Sequence, residues 1–231
     1  MAAAYSARSI SMSAAPDFTL YSYFRSSAAF RVRIALNLKG LKADLRFVHL
    51  LKDGGGQHSD SYRQINPQQL VPTLISGGQA ISQSLAILEY LEEVSPEPPL
   101  LPRDALGRAR VRQLAQTIAC DIHPLNNLRV LHYLEKEIGV DGEKRLAWQR
   151  HWIAAGFSAL ETKLARELAT GRFCHGDDPG MADICLVPQM FNARRIQMQL
   201  SAYPTLLRIE ASAYSLPAFQ NARPENQPDA E

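Results

Sequence analysis

Four prolines stand within the eight residues Ser95-Pro96-Glu97-Pro98-Pro99-Leu100-Leu101-Pro102, and they divide the chain. Proline fixes φ and removes a backbone donor, so neither a helix nor a paired strand runs through such a segment. Before it, short strand-like stretches alternate with amphipathic ones; after it, only long helical periods remain. The predicted organisation is an α/β unit at 17–97, a linker at 98–104 and an all-helical unit at 105–225, with 226–231 as a tail. Residues 1–16, MAAAYSARSISMSAAP, are rich in Ala and Ser but lack the apolar core of a secretory signal, and they read as a disordered leader. An organellar transit peptide shares that bias and is the alternative.

The balance of 46% hydrophobic and 21% charged residues in 231 suits one large or two ordinary soluble domains. A net charge of +2 without a dense run of Lys or Arg sets nucleic-acid binding aside. No apolar run approaches the roughly 18 residues that would suggest a membrane span. The three cysteines, Cys120, Cys174 and Cys185, form no CxxC or His–Cys cluster. They read as free buried thiols in a reducing, cytoplasmic setting, with no zinc.

In the first unit, Phe18–Tyr21 reads as a strand, and a helix follows from Ser27 with Ala28, Val32, Ala35 and Leu36 on its apolar side. Gly40 stands where a helix stops, and Ser26 and Ser27 stand where an N-cap belongs. The strand therefore delivers Arg25, Ser26 and Ser27 to a helix N-terminus. Free N–H groups and the positive end of the dipole make that place receptive to an anion, a thiolate included. The plainer reading is a serine cap beside an exposed arginine. Ala43–Leu50 reads as a second strand with Leu45, Phe47 and His49 alternating, and the Gly-rich stretch Lys52–Ser61 as a loop. Two short strands then flank Gly77-Gly78, and Pro72 sits where the first of them begins. That proline is either trans, or cis with the Val71 backbone turned outward to pair with an extended peptide. Gln83-Ser84 leads into an amphipathic helix with Ser84 as its cap. These pieces predict a mixed four-stranded sheet covered by helices.

After the linker, helical periods run from Ala105 through Tyr133, from Lys144 to Leu168, from Met181 to Met190 and from Leu206 to Tyr214. Pro124 should kink the first of these and bring His123 and Asn127 onto one face, with Arg129 leaning elsewhere. His123 reads either as a satisfied structural histidine or as a ligand group; Asp121, His123 and His132 lack the further partner a metal would need. Arg194-Arg195 reads either as two cations at a helix C-terminus or as a guanidinium fork for a carboxylate. Gly180 offers no side-chain oxygen as a cap, so Asp183 answers backbone N–H groups alone, and Thr at 180 should stabilise by a few tenths of a kcal/mol.

The ordered segments YSYFRSSAAFRVRIALNLKG, NPQQLVPTL, QSLAILEYLEE, CDIHPLNNLRVL, GMADICLVPQ and ARR resemble the zeta class of glutathione transferases from about residue 18 to 225. The resemblance implies the α+β glutathione transferase fold: a thioredoxin-like βαβ-ββα domain, then an all-α domain, in a homodimer. It implies glutathione as cosubstrate and the cis–trans isomerisation of a small maleyl dicarboxylate, maleylacetoacetate, to fumarylacetoacetate in tyrosine catabolism. Maleylpyruvate isomerisation, general conjugation and dehalogenation are its alternatives, and a noncatalytic binding module is the alternative of another class. By the same resemblance Ser26 and Ser27 hold and activate the thiol, and Val71 before a cis-Pro72 pairs with the peptide. Gln83 and Ser84 hold the γ-glutamyl end, while Gln57, His123, Asn127 and Arg129 contact glutathione further. Arg25 and Arg195 fall where substrate carboxylates are expected. Ala28 stands where many members have cysteine, so the implied chemistry uses the thiol of glutathione and none of the protein's own there.

Overall fold

Phe18, Leu20 and Ser22 point into the protein and Thr19 and Tyr21 less so, the period of two that makes Phe18–Ser22 strand β1. The computed structural model describes residues 18–231; the leader expected at 1–16 lies outside the described residues. Strand β2 (Ala43–Phe47) runs parallel to β1, whereas β3 (Thr73–Ser76) and β4 (Gln79–Ser82) are antiparallel, in the order β2-β1-β3-β4. The register puts Leu45, Leu20, Leu74 and Ile81 in one row across the sheet, so a single apolar stripe fixes all three pairings. Gly77 and Gly78 both have positive φ, as a two-residue hairpin turn between β3 and β4 requires.

Strand β2 is shorter than its pattern suggested, and Phe47 is 46% exposed on the sheet edge. Val48 turns inward instead, and His49 lies beyond the strand with its Nδ1 accepting from the Leu51 and Lys52 N–H groups. The stretch read as loop up to Ser61 already enters helix α2 (Asp60–Ile65), capped by the Ser59 hydroxyl. Its six residues are too few for a helical period to register.

Helix α1 (Ser27–Leu38) joins β1 to β2 and is buried almost all round. The sheet and α3 (Ser84–Val94) lie on one side, and α7 (Met181–Arg195) and α9 (Pro217–Asn221) cover the other. One apolar core consequently runs from Leu20, Phe30 and Ile34 through to Phe157, Leu186 and Ile209. Ser84 is not the cap of α3: Gln83 holds that position with φ of 70°, and the Ser84 hydroxyl accepts from Arg31 instead.

The first helix after the linker does not continue to Tyr133. Helix α4 (Ala105–Gln116) passes into a π-helical turn (Thr117–Ile122) that carries exposed Cys120, against the expectation of a buried thiol. Pro124, which has no N–H to extend the ladder, opens a short 3-10 turn, and Asn127 caps a new helix, α5 (Leu128–Lys136), by accepting from Arg129 N–H. Helices α6 (Gly142–Arg166), α7 and α8 (Pro204–Tyr214) complete the bundle. Among the described residues no helix is long and apolar enough to cross a membrane. Asp183 answers the backbone, accepting from Gly180 N at 2.9 Å and Cys174 N at 2.8 Å, but not the backbone alone as expected, because the Cys174 thiol also hydrogen-bonds its carboxylate. Thr at 180 would not be the simple gain expected, because a Cβ there stands 3.0 Å from the Leu100 carbonyl oxygen.

The proline-rich segment is held by a buried ion pair. Lys39, just past α1, donates to Glu92 Oε2 at 2.8 Å and to the carbonyls of Ser95 and Pro98. Glu92 in turn accepts from the N–H groups of Leu100 and Leu101. Replacing Glu92 by Ala leaves a buried ammonium without its counter-charge and two buried N–H groups unanswered, and is expected to cost ~3–5 kcal/mol. Urea denaturation measures this; a loss below ~1 kcal/mol would show that the pair does not hold the linker.

Candidate active site

The end of β1 and the start of α1 create the local chemistry. Ser26 is the cap of α1: its Oγ accepts from Ala29 N–H at 3.2 Å, which leaves its own hydrogen free to donate outward. Ser27 follows at the first helical position. A cavity of about 400 Å³ opens over this helix end, lined by Gln57 and Val71 from the first half and by His123, Asn127 and Arg129 from the helical half. Arg25 and Arg195 border it too. A smaller cavity of about 150 Å³ shares Val71, His123, Asn127 and Arg129 with it and reaches Gln83 and Ser84. All eleven residues singled out from the sequence thus line these two cavities. The Val71–Pro72 bond is cis.

Arg25 and Arg195 share one electrostatic environment. The Arg25 guanidinium donates to Tyr23 Oη at 2.9 Å and lies 5.1 Å from the Phe24 ring centre. Arg195 donates to Asn192 Oδ1 at 2.9 Å. Burial first, and then the Arg25 charge, hold Arg195 below the usual arginine range. Neither has a carboxylate partner among the described residues, so the pair presents positive charge to the cavity. Its neighbour Arg194 does have one: it is paired with buried Glu210 of α8. Arg194 is thus answered inside the protein, whereas Arg195 borders the cavity.

Arg129 adds a further cation to the wall, whereas His123 and Gln57 bring no charge to it. Burial, followed by the nearby Arg31 guanidinium, pushes His123 down to about 3, so its imidazole is neutral at ordinary pH. Gln57 is buried, with Nε2 donating to the Leu50 carbonyl and Oε1 receiving no donor from the described residues. Gly55, at φ of 93°, accommodates it: a Cβ there would sit 2.5 Å from Gln57 Nε2. Gln83 is a non-glycine residue at positive φ, an uncommon conformation that clusters at functional sites. Sequence reasoning missed Tyr23 and Asn192, which orient the two arginines. Asn192 could have been found, since it lies three residues before Arg195 on one helix.

Comparison with known proteins agrees with this geometry. A model of the glutathione S-transferase N-terminal domain matches residues 20–99. A probable maleylacetoacetate isomerase of Vibrio cholerae is 51% identical over 91% of this chain and 97% of its own. The holo structure of a maleylpyruvate isomerase, a bacterial zeta-class glutathione transferase, superposes with a TM-score of 0.89 at 48% identity, covering 92% of this chain and all of that one. A maleylacetoacetate isomerase from Methylobacterium extorquens AM1, solved with malonate and glutathione bound, gives a TM-score of 0.89 at 44% identity over 92% and 99% of the two chains. The chain belongs to the zeta class of glutathione transferases. In this transferase the position after the two serines is Ala28, which borders the smaller cavity and offers no thiol.

The neutral histidine gives the transferase a definite acid response. In the unfolded chain a histidine titrates near 6.5, so as pH falls below that value the unfolded state takes up a proton that the folded site refuses. Stability is then lost at ~1.4 kcal/mol per pH unit until about pH 3. Between pH 7 and 5, wild-type protein should lose ~1–2 kcal/mol more than His123→Asn in urea denaturation. Equal losses in the two proteins would place His123 in a solvated environment.

Proposed function

We propose that this chain is a glutathione-dependent cis–trans isomerase of maleyl dicarboxylates, with maleylacetoacetate as substrate and fumarylacetoacetate as product. One observation carries the reading. Two guanidiniums without carboxylate partners among the described residues, Arg25 and Arg195, face the same cavity as a serine-capped helix N-terminus. The named relatives, and the glutathione and malonate in one of the solved structures, support it.

The residues fit glutathione chemically. Gln57 Oε1 is a buried acceptor awaiting an N–H, the hydroxyls of Ser26 and Ser27 can donate to sulfur, and Gln83 and Ser84 offer polar groups in the adjoining cavity. Asn127 and Arg129 border both cavities. Bound there, glutathione supplies a thiol whose reversible addition to the cis double bond allows rotation about that bond and release as the trans isomer. The chain's part is electrostatic. A free thiol near pKa 8.5 is only a few per cent ionised at pH 7, and the hydroxyls with the helix N-terminus raise that fraction. Arg25 and Arg195 grip the substrate carboxylates and meet the negative charge that develops on the conjugated carbonyl, commonly the largest catalytic contribution. No protein side chain changes covalently.

Maleylpyruvate is the second reading, favoured by the structural likeness to a maleylpyruvate isomerase, and side-by-side turnover of the two maleyl acids separates them. The proposal includes a homodimer, the assembly the zeta-class resemblance implies, and a cytoplasmic setting, which three unpaired cysteines favour. The deciding experiment is turnover of maleylacetoacetate coupled to fumarylacetoacetate hydrolysis, with and without glutathione. Glutathione-dependent turnover is expected; none, with glutathione still bound, would turn the reading to conjugation or a binding role. Arg195→Ala should lower turnover by at least about tenfold while glutathione binding persists, and unchanged turnover would remove Arg195 from the site.

A further inference from the structure

Helix α1 and its end carry three buried cations, Arg31, Arg33 and Lys39, and the protein answers two of them. Lys39 has Glu92 and two carbonyls. Arg33 donates to the carbonyls of Ala222, Tyr23 and Phe24 and to the Ser22 hydroxyl. Arg31 is different. It is 1% exposed, and its Nη1 donates to Ser84 Oγ at 3.1 Å, yet Nε and Nη2 find no acceptor among the described residues. It forms no ion pair there; the ionisable groups that oppose its charge are the thiols of Cys185 and Cys120, and burial raises Cys185 to about 11, which keeps that thiol neutral. A buried guanidinium with unmet donors destabilises a fold unless something else answers it.

The position of Arg31 indicates what does. It borders the smaller cavity together with Ser84, Gln83 and His123. Because Ser84 Oγ accepts from Arg31, the serine's own hydrogen is left to donate into that cavity, with a full positive charge directly behind it. We propose that Arg31 is a positioning residue for the γ-glutamyl carboxylate of glutathione, acting through the Ser84 hydroxyl and supplying the buried charge that the carboxylate neutralises. The proposal rests on the glutathione reading given above. Arg31 is thus an unfavourable charge in the free protein that becomes favourable when the carboxylate arrives.

Calorimetry tests this with two ligands, glutathione and its analogue lacking the γ-glutamyl α-carboxylate (4-aminobutyryl-cysteinyl-glycine), against wild type, Arg31→Met and Arg31→Lys. Wild type should bind the analogue at least about tenfold more weakly than glutathione. Arg31→Met should discriminate by less than about threefold, because the loss falls on glutathione alone, while Arg31→Lys keeps most of the discrimination. Turnover of Arg31→Met at saturating glutathione should stay within about threefold of wild type as its KM for glutathione rises. Without ligand, Arg31→Met should melt no lower than wild type, since the variant removes an unmet charge. Equal weakening of both ligands, a ligand-free melt well below wild type, or lost discrimination in a folded Arg31→Lys would each overturn the proposal and assign Arg31 to the fold. Wild type that binds glutathione and the analogue alike would overturn it while leaving the glutathione reading in place; wild type that binds neither overturns that reading as well.

Discussion

A helix buried almost all round offers little solvent face for its charges, and α1 is such a helix. Whatever cations its sequence carries must be answered inside the protein, at specific places, or the fold loses several kcal/mol for each. Two of the answers also build the architecture. Arg33 reaches the Ala222 carbonyl near the chain's C-terminal end, and Lys39 reaches Glu92 and the proline-rich segment. Together they fix α1 between the sheet and the helical bundle, and so fix where its N-terminus opens.

That N-terminus is held from behind. Arg33 binds the Ser22 hydroxyl and the carbonyls of Tyr23 and Phe24, the residues just before Arg25-Ser26-Ser27, and the Phe24 N–H donates to Asp229 Oδ2 at 3.0 Å. The backbone groups facing the core are thereby occupied, and the donors facing the cavity are left for a ligand. The site is consequently a property of both halves of the chain. The serines come from the α/β half, and His123, Asn127 and Arg195 from the helical half, so a shift of one layer on the other would dismantle it.

Most of the local devices were legible in the sequence because their causes are local. Ser26 caps α1 as read, Gly77-Gly78 makes the hairpin, and the strand-to-helix switch at Arg25 is where the hydrophobic period changes. What escaped depends on neighbours distant in sequence. The stripe of Val32, Ala35 and Leu36 implied a polar opposite face, but α7 and α9 cover it, so Arg31 and Arg33 are inside. Arg194 and Arg195 are equivalent as letters; Glu210 on α8 decides which of them is structural. The break after Gln116 is a π turn without a residue signature, and Gln83 adopts a positive φ that sequence assigns to glycine or asparagine. Six motifs in order were informative beyond their individual residues, because a family resemblance carries those long-range contacts with it.

The distribution of charge in the cavity also bears on catalysis. Substrate and product of a cis–trans isomerisation carry the same carboxylates, so a guanidinium that only anchors one of them holds both forms about equally and accelerates nothing. Rate must come from groups that meet charge present only between the two. On the proposed reading the cavity has two separate sets of donors for this: the serine-capped helix end, which would favour a thiolate before addition, and the Arg25–Arg195 pair, which would favour charge on the carbonyl after it. The mutual repulsion of those two guanidiniums is a cost in the free protein that added negative charge relieves. A neutral His123 on the wall adds no further positive charge to those of Arg25, Arg195 and Arg129 along the cavity.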